Sequence, residues 1–248
     1  MKYNYGEHIV VVGKTQSGKT YYVQRTLCRI YNNFIVFSEE TKDNWEDITE
    51  ITIHSVAELD KAIKDKCHKI YYEPANYKDE TDFIQEWDNV CKYVFDNLEN
   101  IALINDEVAD VSSSMKIESY HFRLIRKGAK RKISMISATQ RPQQVNKTIW
   151  TQSAHKLIFK VDLYEGSWLQ DYILDKEKCM SIKENYVFYY DDRITAEIFR
   201  SKTQSIPFVE KKEKLATITI DDKKGEFIIK EVKDKEKEKS FLEKAWGL

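Results

Sequence analysis

Long apolar runs, proline and glycine are all scarce in this chain of 248 residues. No apolar run approaches the roughly 18 residues that a membrane span needs, which excludes a spanning helix. The polar segment from Met1 to His8 leads straight into an apolar run, so we expect no signal peptide and a cytoplasmic protein. The 7 glycines and 3 prolines fit thermal adaptation and an AT-rich genome equally well, and two of the glycines fall in one short loop.

The chain also has few cysteines and histidines and no excess of positive charge. Its four cysteines contain no CxxC pair, which favours reduced thiols in a cytosolic protein over disulfides or a zinc site. The five histidines are scattered, so we predict no metal-binding cluster. A net charge of −1 with 33% charged residues excludes a broadly basic protein, and any contact with nucleic acid must therefore come from a local patch.

Short β-branched runs alternate with helical segments over most of the chain. This alternation predicts an α/β domain with a mostly parallel central sheet flanked by helices. The predicted strands cover residues 8–12, 33–37, 51–54, 69–72, 101–104, 133–138, 155–161, 185–190 and 195–199, with a loop as the alternative at residues 51–54. The predicted helices cover residues 20–31, 56–66, 82–98, 117–131, 143–152 and 166–174.

The composition changes near Pro207. We therefore predict a first domain at residues 1–206 and a charged C-terminal extension at residues 207–248. Two charge runs in the extension, the first at Glu210–Lys214, are typical of solvated or flexible segments. Between the charge runs, residues 215–220 and 226–232 have the pattern of two strands that pair as a hairpin.

A complete phosphate-binding motif follows the first predicted strand. Eight residues match G-x-x-x-x-G-K-[ST], with a strand before them and a helix after them. The two glycines allow a close backbone approach that a Cβ would block, and the backbone N–H groups and the positive end of the helix favour phosphate. In such a loop the lysine reaches the β- and γ-phosphates and the threonine hydroxyl binds Mg²⁺. The predicted nucleotide-binding residues are Gly13, Lys14, Thr15, Gln16, Ser17, Gly18, Lys19 and Thr20.

Two carboxylates follow the fifth predicted strand, at the edge where such sheets bind ligands. We predict that Asp106 holds Mg²⁺ through water, together with Thr20, and that Glu107 is the general base for the attacking water. A Glu directly after the Asp, and an additional strand between the two motifs, are typical of RecA-like, additional-strand P-loop NTPases. Residues 146–149, Asn-Lys-Thr-Ile, lack the aspartate of the base-reading GTPase motif Asn-Lys-x-Asp, so the sequence favours ATP over GTP.

A glutamine side chain lies just after the sixth predicted strand. Gln140, in the segment Ala138-Thr-Gln-Arg-Pro142, is placed to hydrogen-bond the γ-phosphate or the water and so to report hydrolysis. With the P-loop and the acid pair in the same order, this segment resembles the FtsK–HerA superfamily of DNA-pumping ATPases over roughly residues 6–202. Because the chain is small, it resembles within that superfamily the genome-packaging ATPases of tailless, internal-membrane viruses. The resemblance implies ATP and Mg²⁺, double-stranded DNA, a ring-like homo-oligomer, and a capsid or membrane-vertex protein as a further partner.

Six lysines and arginines lie within the ten residues that begin at Arg123. Members of the resembled family often carry Arg-x-Gly-Arg-Lys here; Arg126 and Gly128 align with its start, and Ala129 stands where a second arginine is usual. The resemblance makes Arg126 the predicted arginine finger for a neighbouring subunit, with Arg123 and Arg131 as alternatives. A solvated helix end and a patch that binds DNA phosphates are the other open interpretations.

These patterns together predict an ATP-driven translocase of double-stranded DNA that packages a viral genome into a preformed capsid. It would work in the host cytoplasm, with association with the virion as the alternative. Residues 108–119 are predicted to form a mobile loop. The alternatives are another FtsK–HerA-type DNA transfer motor, a phage ATPase for protein assembly or export, and a non-catalytic nucleotide switch. Glu107 and Gln140 argue against the last of these.

Overall fold

The computed structural model describes residues 2–39, 45–75 and 77–201, together with the backbone of two later strands. The chain divides into two compact units, Met1–Lys202 and Thr203–Leu248. The domain boundary predicted after residue 206 and both charge runs of the extension lie outside the described residues. None of the helices in the described part of the chain combines the length and the apolar character that crossing a membrane requires.

Nine strands of the first unit form one sheet. In chain order they are β1 Ile9–Val12, β2 Phe34–Phe37, β3 Ile51–Ile53, β4 Lys69–Tyr72, β5 Ile101–Asn105, β6 Ile133–Thr139, β7 His155–Ile158, β8 Val187–Asp191 and β9 Ala196–Arg200. Their order in space is β3-β4-β2-β5-β6-β1-β7-β8-β9. Strands β1 to β7 pair in parallel, whereas β8 and β9 are antiparallel to their neighbours. The predicted α/β class with a mostly parallel sheet is confirmed.

Helices connect the strands of the first unit. They are α1 Lys19–Tyr22, α2 Cys28–Ile30, α3 Val56–Lys64, α4 Glu80–Asn97, α5 Ser119–Lys127, α6 Lys147–Gln152, α7 Leu163–Leu169 and α8 Lys176–Met180. A π-helical segment, Val23–Leu27, joins α1 to α2. Short 3₁₀ turns occupy Val108–Asp110, Gly128–Arg131 and Pro142–Gln144.

The central strands are covered on both faces. In β1, Val10 and Val12 pack into one apolar cluster, which includes Trp87 of α4. Ile9 and Val11 point the other way and pack into a second cluster on the opposite face. A parallel strand that is buried on both faces has a continuous apolar sequence, and the apolar run Ile9–Val12 therefore predicts β1. The loop that follows β1 therefore starts from a rigid, fully buried support.

Asp88, on α4, caps the amino end of the neighbouring helix α5. Its carboxylate accepts hydrogen bonds from the backbone N–H groups of Tyr120 and His121, both at 2.8 Å, and from the Ser119 hydroxyl at 3.4 Å. Asp88 is 5% exposed, and Glu118 before the helix makes no side-chain cap of its own. The carboxylate thus joins two helices that pack against each other over the sheet.

Replacing Asp88 by alanine is expected to lower the free energy of unfolding by about 2–3 kcal/mol, because buried N–H groups at the start of α5 lose their acceptor. Urea unfolding measures this change. The control is Asp96→Ala on the same helix, since the Asp96 carboxylate makes a surface ion pair with Lys92 at 2.9 Å. We expect the control to lose less than about 1 kcal/mol. Equal losses in the two variants would contradict the capping role.

The helices predicted at residues 166–174 and 117–131 have different bounds in the structure. The helix predicted at residues 166–174 is α7, which begins at Leu163 because Asp162 and Glu165 form a capping box. The helix predicted at residues 117–131 is α-helical only over Ser119–Lys127, because the last turn before β6 tightens into the 3₁₀ turn at Gly128–Arg131.

Two further differences concern short helices. Helix α8 was not predicted, because it has only five residues; its start is fixed by the Asp175 carboxylate, which accepts from the Lys178 N–H at 2.9 Å. The helix predicted at residues 143–152 begins only after Asn146, whose side chain accepts from the Thr148 N–H at 3.0 Å.

The described part of the second unit is a two-stranded hairpin. Strands β10 Ala216–Asp221 and β11 Glu226–Glu231 pair antiparallel, with Ile218 opposite Ile229.

Candidate nucleotide site

The predicted P-loop joins β1 to α1 at the carboxyl edge of the sheet. The Gly13 N–H donates to the carbonyl of Thr139 at the end of β6, at 3.2 Å. The Lys14 N–H donates to the carbonyl of Lys160, just beyond β7, at 3.1 Å. Since β6 and β7 flank β1 on either side, the loop is tied to both neighbouring strands and its shape is set by the sheet.

Gly18 turns the loop into the helix. Its φ is 101°, in the region that favours glycine, and a Cβ at this position would lie 2.6 Å from the ring carbon Cδ1 of Tyr186. A larger residue would therefore meet both backbone strain and a clash. Gly18 thus allows the sharp turn that leads from the loop into α1.

Lys19, the first residue of α1, opens onto a cavity of about 380 Å³ at the same edge of the sheet. The lysine is 6% exposed, so its ammonium group is largely removed from water. Acidic and amide side chains share the cavity with it. They belong to Glu39, Asn105, Asp106, Glu107, Asp110 and Gln140.

Thr20 and Asp106 face each other across this edge. The Thr20 hydroxyl lies 3.5 Å from Oδ1 of Asp106, and Asp106 is 3% exposed. Hydroxyl and carboxylate oxygens are the ligands that Mg²⁺ prefers, alongside phosphate oxygens and water. The donor set fits the predicted magnesium site. In the described part of the chain no group of three or more His, Cys, Asp or Glu side chains is placed to hold a metal.

Glu107 is held by the end of the neighbouring strand β6. Its Oε1 accepts a hydrogen bond from the Thr139 hydroxyl, and its Oε2 accepts from the Gln140 N–H at 2.9 Å. Burial raises the pKa of Glu107 above its ordinary value. The two hydrogen bonds and the positive charge of Lys19 oppose that rise, and the nearby charge of Asp110 adds to it. A carboxylate with a raised pKa beside a phosphate loop suits proton abstraction from water.

Gln140 connects Glu107 to the P-loop. Its side-chain oxygen accepts a hydrogen bond from the Thr15 hydroxyl at 2.6 Å, while its backbone N–H donates to Glu107. The next residue, Arg141, pairs with Asp110 in the 3₁₀ turn that follows Glu107. The end of β6 therefore contacts the P-loop, the carboxylate and the segment beyond the carboxylate.

Arg126 does not lie with the other predicted site residues. Helix α5 leads into β6, so its last turn lies at the amino edge of the sheet, where the Asn100 N–H before β5 donates to the carbonyl of Arg131 at 3.2 Å. The P-loop is at the carboxyl edge, and β6 alone, with seven residues, spans about 20 Å between the two edges. Arg126 therefore lies far from the P-loop of its own chain.

The sequence interpretation missed three residues that contact the site. Thr139 binds Glu107, Asp110 pairs with Arg141, and Tyr186 packs on the P-loop at Gly18. Thr139 carried a usable signal, because a hydroxyl residue directly before Gln140 on a strand beside the acid pair has the acid within reach. Tyr186 carried none, since its contact depends on the order of strands in space.

No protein-family model matches the chain, and no curated protein matches it by sequence. Solved structures do match. The genome-packaging NTPase B204 from Sulfolobus turreted icosahedral virus 2, in complex with AMPPCP, superposes with a TM-score of 0.66 and 17% identity over 81% of this chain and 100% of that chain. VirB4 of Thermoanaerobacter pseudethanolicus gives a TM-score of 0.59 at 8% identity, over 80% of this chain and 90% of that chain.

The conjugation coupling protein TcpA of pCW3 gives a TM-score of 0.51 at 14% identity, over 79% of this chain and 60% of that chain. Identities this low show a shared fold. The chain therefore has the fold of a P-loop NTPase, and at the level of the fold its predicted resemblance to a viral genome-packaging ATPase is confirmed.

Proposed function

We propose that the chain hydrolyses ATP to translocate double-stranded DNA, and that its task is to package a viral genome. One observation carries the proposal. Gln140 contacts both the P-loop, through Thr15, and the carboxylate of Glu107. A site that only binds nucleotide needs no carboxylate linked in this way to the phosphate loop.

Phosphate binding is assigned to the backbone of residues 13–20 and to Lys19. The cradle, the helix amino end and a buried ammonium group all favour the negative charge of a triphosphate. Thr20 and Asp106 would hold Mg²⁺, which when bound neutralises charge on the phosphate oxygens. The lysine charge also lowers the cost of keeping Glu107 ionised beside it.

Glu107 is assigned the general-base role, and Gln140 that of the group that senses the γ-phosphate. The Glu107 carboxylate takes the proton of the attacking water. Because the Gln140 amide already bridges to the P-loop, a change in the phosphates alters the contacts of Gln140 and so reaches Glu107. Gln140 thereby links hydrolysis to the position of the general base, Glu107.

The same strand end connects the site to a surface segment. Arg141 pairs with Asp110, and the chain then runs to α5 through a turn in which the Ser113 N–H donates to the carbonyl of Lys116 at 2.8 Å. Met115 at the tip is 92% exposed. We assign to residues 113–118 the DNA contact that responds to hydrolysis, within the loop predicted at residues 108–119.

Genome packaging is preferred because the superposition covers the whole of B204, and B204 is a genome-packaging NTPase. A DNA transfer motor is the second candidate, supported by the fold match to a conjugation coupling protein. A gene for a capsid protein beside the gene for this chain supports packaging, and genes for a conjugation channel support transfer.

Turnover of ATP with and without linear duplex DNA tests the proposed function. We expect duplex DNA to raise turnover of the assembled protein by roughly tenfold, with an effect that weakens as salt rises because phosphate contacts release counterions. Single-stranded DNA and an unfolded protein substrate serve as controls. Turnover that is indifferent to duplex DNA, or that responds only to the protein substrate, would overturn the DNA motor in favour of an export ATPase.

A further inference from the structure

Tyr186 is an aromatic residue held in an unfavourable backbone conformation against the P-loop. Its φ is 61°, in the left-handed region that bulky residues seldom adopt. Two backbone hydrogen bonds keep it there: its N–H donates to the carbonyl of Ser17 at 2.7 Å, and its carbonyl accepts from the Ser201 N–H at 2.7 Å. Strain of this kind persists where the surroundings fix it, and it points to a role for the side chain.

The ring of Tyr186 has a defined environment. It covers Gly18 and meets the ring of Tyr21 almost at right angles, with the ring centroids 5.6 Å apart. Tyr186 remains 39% exposed. Tyr21 is the third residue of α1 and directly follows Thr20, so the aromatic pair lies beside the amino end of the helix that receives the phosphates.

The order of the strands gives a bound nucleotide its direction. The residues for hydrolysis, Glu107 and Gln140, lie after β5 and β6, on one side of β1. The γ-phosphate must point to that side. The sugar and the base then extend from the α-phosphate toward the other side, where β7 and β8 lie and where Tyr186 precedes β8.

We propose that Tyr186, with Tyr21 beside it, forms the aromatic platform that stacks the nucleobase. This inference rests on the proposed nucleotide site and adds to it the residues that hold the base. Stacking recognises an aromatic face, so purine nucleotides bind more tightly than pyrimidine nucleotides because their larger rings cover more of the tyrosine.

Calorimetric titration with ADP tests the platform. Tyr186→Asn is the informative variant, because asparagine tolerates a positive φ and so preserves the backbone while removing the ring. We expect the Kd for ADP to rise roughly 5- to 100-fold in this variant, the usual range for loss of a base-stacking aromatic. Tyr186→Phe keeps the stacking face, and its Kd is expected to stay within about twofold of wild type.

Inorganic tripolyphosphate, which has no base, separates this inference from the proposed function. Its affinity is expected to be the same in wild type and Tyr186→Asn, and to be lost in Lys19→Ala. The matched control is Tyr164→Ala, since Tyr164 is a 76% exposed tyrosine in α7 on the same edge of the sheet.

Three outcomes would overturn the platform. One is an unchanged ADP affinity in Tyr186→Asn, and another is an equal loss of tripolyphosphate affinity in that variant. The third is an equal effect of Tyr164→Ala on ADP. A wild-type protein that binds neither ADP nor tripolyphosphate would instead overturn the nucleotide site itself, and the platform with it.

Discussion

A Glu107→Gln protein is expected to bind ATP but to turn it over at least about 100-fold more slowly than wild type, the usual loss when a general base is removed. The glutamine has nearly the same shape, and its side-chain oxygen can still accept from the Thr139 hydroxyl or the Gln140 N–H. It has no basic group to take the proton of water. Steady-state turnover and a separate ATP-binding titration measure the two parts of this expectation.

The pH dependence of wild-type turnover follows from the same carboxylate. Because burial raises the pKa of Glu107, the ionised base is lost on acidification at a higher pH than for an ordinary glutamate. We expect the acid limb of the rate profile to be displaced upward accordingly. Turnover in Glu107→Gln that matches wild type at pH 7–8, where the wild-type carboxyl is ionised, would remove Glu107 from the mechanism.

The substitution is also expected to stabilise the fold at neutral pH. A carboxyl whose folded pKa is raised contributes stability that is full below its unfolded pKa and lost as pH rises through the folded pKa. Wild type therefore carries a cost at pH 7–8 that glutamine does not. Thermal unfolding at pH 8 should show a higher Tm for the variant than for wild type, and the difference should shrink toward pH 4. Glu80→Gln, at an exposed position at the start of α4, is the control and should change little.

The fold was predictable because its central strands are buried on both faces. Continuous apolar runs such as Ile9–Val12 separated by helical segments permit few arrangements other than a mostly parallel sheet. The P-loop and the residues after β5 and β6 then had to meet, since the carboxyl ends of parallel strands share an edge.

Side-chain contacts between distant segments were not predictable from patterns. The cap that Asp88 provides for α5 joins residues 31 to 33 positions apart in the sequence, and no local sequence motif predicts it. The contact of Tyr186 with Gly18 requires that β8 lies next to β7, which the alternation of elements does not fix. Short helices such as α8 depend on one capping side chain and are too short for a periodic pattern.

The place of Arg126 follows from a topological rule. A helix that links two parallel neighbouring strands begins near the carboxyl edge and returns to the amino edge. Helix α5 does this between β5 and β6, so its last turn cannot reach the phosphates of its own chain. If Arg126 acts on the γ-phosphate, it acts on that of a neighbouring subunit, as the predicted arginine finger requires.

The three candidate arginines make different contacts within the chain. The guanidinium of Arg123 lies 4.3 Å from the ring centroid of Phe95 and 5.6 Å from that of Tyr120. Arg131 lies 5.7 Å from the Phe95 ring and donates to the carbonyl of Leu98 at 3.3 Å. Both arginines are thus engaged within their own chain. Arg126 is exposed, as Arg123 is, and its guanidinium lies 5.3 Å from the ring of Phe122 one turn earlier on the same helix.

An Arg126→Ala protein that still assembles is expected to lose ATP turnover by about 1,000-fold, the lower range for loss of an arginine finger. Lys127→Ala, the exposed neighbour in the same basic segment, is the control and should stay within about threefold of wild type. If instead both variants weaken duplex binding equally and reduce its salt dependence, with turnover intact, the segment is a DNA-binding patch.

Mixing two inactive variants distinguishes action between subunits from damage within one. Arg126→Ala retains its own Glu107, and Glu107→Gln retains Arg126 to offer to its neighbour. In a 1:1 mixed ring, about a quarter of the interfaces combine an intact Glu107 with an intact Arg126 from the next subunit, because a head-to-tail interface takes each residue from a different chain. Turnover should therefore recover to about a quarter of wild type on mixing and reassembly. A mixture that stays as inactive as its components, although native mass spectrometry shows mixed rings, places the defect of Arg126→Ala within its own subunit and rules out the finger.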